Sequence, residues 1–215
     1  MNHVLILLAG QGTRFDKKID KSLLKINDHY MFEYIINTLS SNENIDNITL
    51  VINKKHIDTF KEIVLKNKIG KNIGVVVGDD VYRQISLSNG FLSLKASDND
   101  IVITLDGDRP FVSNELINKS IEVAKQRGFS SACLPLHDSI INFTTYEDRK
   151  NFTLIQTPQS FIAKHFNNEF DKDKADLISS MGWKLKMENL FPGNPLNFKI
   201  TTQDDFEMAK KIILK

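Results

Sequence analysis

The chain has 215 residues, 41% of them hydrophobic, enough to bury a full core within what is expected to be a single domain spanning residues 1–215. Its 28 Lys and Arg against 27 Asp and Glu leave a formal charge of +1, so no global field draws it to nucleic acid or to an anionic membrane. One cysteine, Cys133, excludes an internal disulfide and fits a reducing, cytoplasmic setting, and no apolar run approaches membrane-spanning length.

The first apolar run predicts a buried strand over His3–Leu8 that empties into Ala9-Gly10-Gln11-Gly12-Thr13-Arg14-Phe15, followed by Lys21. A side-chain-poor loop after a strand presents backbone N–H groups to phosphate, and its glycines let the chain approach a ligand closely. Arg14 offers a fork that matches phosphate oxygens, and Lys21 a compact, mobile charge. A dinucleotide fingerprint would need a third glycine at Phe15 and an acidic end to the second strand, where Val51-Ile52-Asn53 stands. A P-loop would need Gly-Lys-Ser/Thr after the glycines. No Lys or Arg precedes the apolar run and no small-residue cleavage site follows it before Arg14, so no secretory signal is expected.

Beyond the loop, short apolar runs alternate with helix-periodic stretches, the pattern of an α/β protein with a mostly parallel, Rossmann-like sheet flanked by helices. The expected order is a helix at Met31–Ser41, a strand at Asn47–Ile52, a helix at Lys54–Asn67 and a strand at Ile73–Val77. Gly78-Asp79-Asp80-Val81-Tyr82 then opens a helix at Arg83–Lys95, where Ser86 and the first N–H groups can read a base edge or a sugar. A strand at Ile101–Leu105 ends in Asp106-Gly107-Asp108-Arg109-Pro110. Carboxylates at the mouth of such a sheet, facing a phosphate loop, suit Mg²⁺, which takes one or two protein oxygens together with phosphates; Asp106 is the expected ligand.

A helix at Asn114–Arg127 and a strand at Ser130–Leu134 follow. His137–Gln156 alternates polar and apolar residues without a helical face, as a projecting β-arm over about 136–157 would, and such an arm implies a homodimer. Helical stretches are expected near Ser160–Glu169 and Ala175–Met181, then a strand at Leu196–Thr201 and a last helix at Asp204–Ile213. Lys199, centred in that late strand, is a residue that normally needs an anionic partner, the alternative being an edge-strand lysine that blocks aggregation.

Five blocks appear here in the order found in the methylerythritol-phosphate and ribitol-phosphate cytidylyltransferases, which this chain resembles over nearly its whole length. They are Leu8-Ala9-Gly10-Gln11-Gly12-Thr13-Arg14 with Lys21, Arg83-Gln84-Ile85-Ser86, Asp106 with Arg109-Pro110, Thr157-Pro158-Gln159-Ser160-Phe161, and Asn197-Phe198-Lys199-Ile200-Thr201. The resemblance implies transfer of CMP from CTP to a polyol phosphate with release of pyrophosphate. It implies phosphate-directed catalytic roles for Arg14, Lys21 and Lys199, and nucleotide contacts from Leu8, Ala9, Gly10, Gln11, Gly12, Thr13, Asp80, Arg83, Ser86 and Asp106. The acceptor is expected at Asp106, Arg109, Ser139, Arg149, Thr157 and Lys199, with Arg149 able to serve a neighbouring subunit.

The chain departs from the family at several positions. Asp20 stands where a proline is usual, Leu8 where a small residue is, and Asp79-Asp80-Val81 disturbs a Gly-Gly-acid pattern. Asp106-Gly107-Asp108-Arg109 replaces a more apolar Asp-Ala-Ala-Arg type. Together these favour a ribitol phosphate-like acceptor and a surface-polymer role (capsule or teichoic acid) over methylerythritol phosphate and isoprenoid synthesis. A sugar-1-phosphate nucleotidylyltransferase and a silent nucleotide-binding dimer are the alternatives.

Overall fold

The computed structural model describes residues 1–12, 15, 20–66, 72–167, 169–174 and 176–214. Its elements begin with β1 (Asn2–Leu8), a small hairpin of β2 (Lys25–Ile26) and β3 (His29–Tyr30), α1 (Met31–Ser40), β4 (Asn47–Ile52), α2 (Ile57–Lys66) and β5 (Asn72–Val77). There follow α3 (Arg83–Leu94), β6 (Ile101–Asp106), α4 (Asn114–Arg127), β7 (Phe129–Pro135), β8 (Ile140–Asn142) and β9 (Thr145–Glu147). The chain closes with β10 (Thr153–Ile162), α5 (Leu177–Ser180), β11 (Leu190–Pro192) and α6 (Gln203–Ile213).

Seven strands form one sheet in the order β11-β7-β10-β6-β1-β4-β5. β1 pairs in parallel with β4 and β6, β4 with β5, and β7 with β11; β10 alone runs antiparallel to both of its neighbours. The period-2 alternation of a strand buried on both faces sets the two layers. Val4, Ile6 and Leu8 pack with Phe32, Ile36 and Leu39 of α1, Phe60 of α2 and Ile117 of α4. Leu5, Val51 and Val102 face the other way, onto Leu87 of α3 and Leu177 of α5.

Helix ends follow local chemistry. The Ser113 hydroxyl accepts from Leu116 N at 3.3 Å to start α4, and Gly128 ends that helix at a positive φ of 89°. Thr202 and Asp205 form a reciprocal capping box at the start of α6.

Three late expectations are corrected. Ser160–Glu169 is not a helix: β10 runs to Ile162 and a single 3₁₀ turn, Ala163–His165, follows. Leu196–Thr201 joins no ladder, and its place as a strand is taken by β11, earlier in the chain. Thr153–Gln156, expected within the arm, instead pairs with β7, so only the β8–β9 hairpin and its flanks project. Asn67 and Ala175, at the ends of expected helices, lie outside the described residues.

Candidate functional site

The carboxyl ends of β1, β5 and β6 border a cleft of about 250 Å³ that includes Ala9, Gly10 and Gly12 from the first loop, Arg83 and Ser86 from α3, and Asp106. This is where a parallel α/β sheet gathers ligands, because loops from neighbouring strands diverge there. Gly12 has φ +63°, and a Cβ on it would lie 2.9 Å from Lys21 Cβ. Glycine thus lets the lysine stem cross the loop and bring its ammonium into the cleft.

Lys21 opens a 3₁₀ turn over Lys21–Leu23 whose cap is Asp20. The Asp20 carboxylate accepts from Ser22 N at 3.1 Å and from Ser22 Oγ at 2.6 Å, and it lies 2.8 Å from Lys55 Nζ and 2.6 Å from His56 Nε2. Burial works to raise its pKa, but the hydrogen bonds from Lys55, Ser22 and His56 prevail and hold it below the usual carboxylate range.

Asp106 is the electrostatic centre. Arg83 Nη2 reaches Oδ1 at 2.9 Å, while Arg109 Nε and Lys199 Nζ reach Oδ2 at 3.4 and 3.2 Å. Burial opposes ionisation, yet Arg83, Lys199 and Arg109 overcome it and keep the carboxyl ionised far below its ordinary value. Lys199 therefore has the anionic partner expected of it, although its segment is not a strand. That segment is held by side-chain bonds and isolated backbone bonds: Asn197 Nδ2 donates to Thr157 O at 2.7 Å, Arg109 Nη1 to Asn197 O at 2.8 Å, and the backbone Ile200 N to Asp108 O at 2.9 Å.

The expected residues are not all in one place. Leu8, Ala9, Gly10, Gly12, Lys21, Asp80, Arg83, Ser86, Asp106 and Lys199 line the cleft. Gln11 reaches across its rim, donating to Asp80 Oδ2 at 3.1 Å. Thr157 lies behind it, where its hydroxyl accepts from Asp106 N at 3.1 Å, so it braces the β6 end rather than lining the space. Ser139 and Arg149 belong to the arm and are not part of the lining; Arg149 Nη1 donates to His137 O. Thr13 and Arg14 lie outside the described residues.

The Ser86 hydroxyl is also committed internally. It donates to Asp79 O at 2.7 Å and accepts from Asp79 N at 2.9 Å, while Asp79 Oδ1 accepts from the N–H groups of Val81 and Tyr82. Ser86 thus shapes the turn before α3 instead of presenting a free hydroxyl. Asp108 and Asp79, not expected as site residues, both line the cleft. Asp108 was visible only as a carboxylate two residues beyond Asp106.

Among the described residues no group of three or more His, Cys, Asp or Glu side chains encloses a metal position. The carboxylates of Asp106 and Asp108 are nonetheless the hard oxygen donors a divalent ion takes, and Asp108 Oδ1 is buried with no hydrogen bond among these residues. The donor set fits an ion that draws its remaining ligands from phosphate and water.

A glycine loop and converging cations at the carboxyl edge of a mostly parallel sheet mark the chain, by class, as a nucleotidyltransferase. The family profile described as IspD, 2-C-methyl-D-erythritol 4-phosphate cytidylyltransferase, matches residues 2–215. The chain belongs to this family and is a CTP-dependent cytidylyltransferase. The 2-C-methyl-D-erythritol 4-phosphate cytidylyltransferase of Clostridioides difficile strain 630 is 32% identical over 227 residues, covering 99% of this chain and 94% of the relative. That of Clostridium tetani strain Massachusetts / E88 is 31% identical, covering 100% and 91%. Among solved structures, the 4-diphosphocytidyl-2C-methyl-D-erythritol synthase of Anaerococcus prevotii DSM 20548 superposes with a TM-score of 0.79 at 27% identity, covering 100% of this chain and 99% of that one.

Proposed function

We propose that the chain transfers the cytidylyl group of CTP to 2-C-methyl-D-erythritol 4-phosphate and releases pyrophosphate. The names of the relatives, which match over almost their whole length, support this acceptor. They do not support the expected ribitol phosphate and surface polymer. The geometric observation that carries the reading is the convergence of Lys199, Arg83 and Arg109 on Asp106, with Lys21 brought to the same cleft across Gly12.

In the proposed reaction an oxygen of the acceptor phosphate attacks the α-phosphorus of CTP in line. A new Pα–O bond forms as the bond from Pα to the oxygen bridging to Pβ breaks, and pyrophosphate leaves with that electron pair. No general base is needed, because a phosphate monoester with a second pKa of about 6 is already largely ionised at neutral pH. The protein's work is to position the reactants and to stabilise charge on the phosphate oxygens, the roles of Lys21, Lys199 and Arg14. Asp106, with phosphate, would hold Mg²⁺, which when bound neutralises phosphate charge and orients the triphosphate. Gly10, Gly12 and Ala9 leave the loop backbone free to approach the nucleotide, and Arg83 Nη1, buried without an acceptor among the described residues, keeps an N–H in reserve beside it. Arg109 and the arm residues Ser139 and Arg149 serve the acceptor.

The arm carries the proposed dimer. Phe143 is 98% and Tyr146 76% exposed at the β8–β9 hairpin, and Ile141 and Phe152 are exposed beside them. A hairpin this apolar needs a covering surface.

The acceptor is tested by offering methylerythritol 4-phosphate, ribitol 5-phosphate and glycerol 3-phosphate separately with CTP and Mg²⁺ while pyrophosphate is followed. Release is expected with methylerythritol phosphate at a kcat/KM at least about a hundredfold above the others, since a site built to bond specific hydroxyls rejects analogues strongly. Preference for ribitol phosphate would overturn the assignment.

A further inference from the structure

We propose that Asp108 is a positioning residue of the transfer reaction, a built-in counter-ion that holds Lys21 and Lys199 between substrates and competes with phosphate for both. The inference rests on the reading that these lysines serve the phosphates.

Asp108 stands at the point where distant parts of the chain meet. Its Oδ2 accepts from Lys21 Nζ, and its Oδ1 lies 3.6 Å from Lys199 Nζ. Its backbone oxygen accepts from Ile200 N, next to Lys199, at 2.9 Å. The Asp108 side chain is only 16% exposed, so water screens these pairs poorly. Lys199 has a second carboxylate in Asp106, whereas the ion pair that Lys21 makes among the described residues is with Asp108.

The charge balance of the cleft gives this pairing a consequence. Its described lining carries three cations, Lys21, Arg83 and Lys199, against four carboxylates, Asp79, Asp80, Asp106 and Asp108. A triphosphate entering must take the lysines from Asp108 or share them with it, and either way the carboxylate's charge opposes the ligand. After transfer the same carboxylate competes for the lysines against pyrophosphate and favours its departure. Asp108 thus keeps two flexible ammonium groups in place in the free enzyme and limits how tightly polyphosphates are held.

The test compares the whole chain with Asp108→Asn, which keeps shape and removes charge, and Asp108→Glu, which keeps charge. Calorimetry with CTP and with inorganic pyrophosphate, each with Mg²⁺ and with EDTA, gives the affinities; turnover gives the KM-against-kcat split. For Asp108→Asn both affinities are expected to rise roughly tenfold, as for one like charge removed from a partly screened site, with a lower KM for CTP and no gain in kcat. Asp108→Glu, which keeps the charge, should not show this rise in affinity, and Asp108→Ala serves should the Asn variant not fold. Unchanged affinities, or weaker CTP binding by Asp108→Asn confined to Mg²⁺, would overturn the inference; the second outcome would mark a metal ligand instead. Lys21→Ala separates the two readings. If it binds CTP and turns over as wild type does, the phosphate role of the lysine fails. If it binds weakly while Asp108→Asn binds no tighter, only the counter-ion role fails.

Discussion

Leu8 and Gly107 show how two departures from a family pattern can cancel. A Cβ placed on Gly107 would lie 2.7 Å from Leu8 Cγ, inside the space that the leucine fills, so the larger residue of β1 requires the smaller one after β6. Taken with Asp20 and Asp79-Asp80-Val81, these substitutions favoured a different acceptor in the sequence; in the structure Leu8 occupies the place that a Cβ at residue 107 would take. Gly107→Ala is therefore expected to cost about 1–3 kcal/mol through overpacking, and much less in a Leu8→Ala background. Denaturant melts of the four proteins in this cycle measure the coupling, and additive effects would show that the two side chains do not share the space. Asp106 and Lys199 were legible because a carboxylate at a strand mouth and a lysine in an apolar setting each demand a partner. The committed hydroxyl of Ser86 was not, since its hydrogen bonds to Asp79 depend on how the turn before α3 closes.

At the scale of elements, the parallel strands and their crossover helices were readable because continuous apolar runs and 3.6-residue periodicity are strong, local signals. β10 was not. Its sequence, Thr153–Ile162, contains Pro158 and a series of Gln, Thr and Ser residues, a composition that argues against a central strand. The structure satisfies those groups internally: the Ser160 and Ser120 hydroxyls lie 2.7 Å apart, and Gln159 Nε2 donates to Ser131 Oγ. Pro158 sits where the register with β7 slips between Gln156 and Gln159, so its missing N–H leaves no gap in the ladder. Leu196–Thr201 misled in the opposite sense, alternating like a strand while side-chain hydrogen bonds and isolated backbone bonds, not a ladder, hold it.

The turn that carries Lys21 gives a prediction at this same scale. Asp20, standing where the family has proline, caps it through Ser22 and ties it to Lys55 and His56. Asp20→Ala is expected to cost about 1 kcal/mol at pH 7. The folded-state pKa of Asp20 is depressed from its ordinary 3.8, so its contribution is fully present above that value and is lost as pH falls through the lower folded value. The stability gap between wild type and Asp20→Ala should therefore narrow in acid, below about pH 4. A gap that persists unchanged at pH 2 would mean that the carboxylate's charge is not what holds the turn.

For the whole molecule, the cleft lies at the carboxyl ends of the strands, and the exposed apolar side chains of the β8–β9 hairpin carry the proposed dimer. Wild type is expected to sediment as a dimer at micromolar concentration, and a Phe143→Asp, Tyr146→Asp double variant as a monomer. A wild-type monomer would leave the exposed hairpin without its proposed partner. The central claim is that Lys21, brought to the cleft across Gly12, stabilises the phosphates of CTP as CMP is transferred. Its most direct test is the turnover of Lys21→Ala with CTP and methylerythritol 4-phosphate, alongside its melting temperature. A loss of about 10²–10³-fold in kcat with little change in melting is the expected result, and near-normal turnover in a folded variant would contradict it.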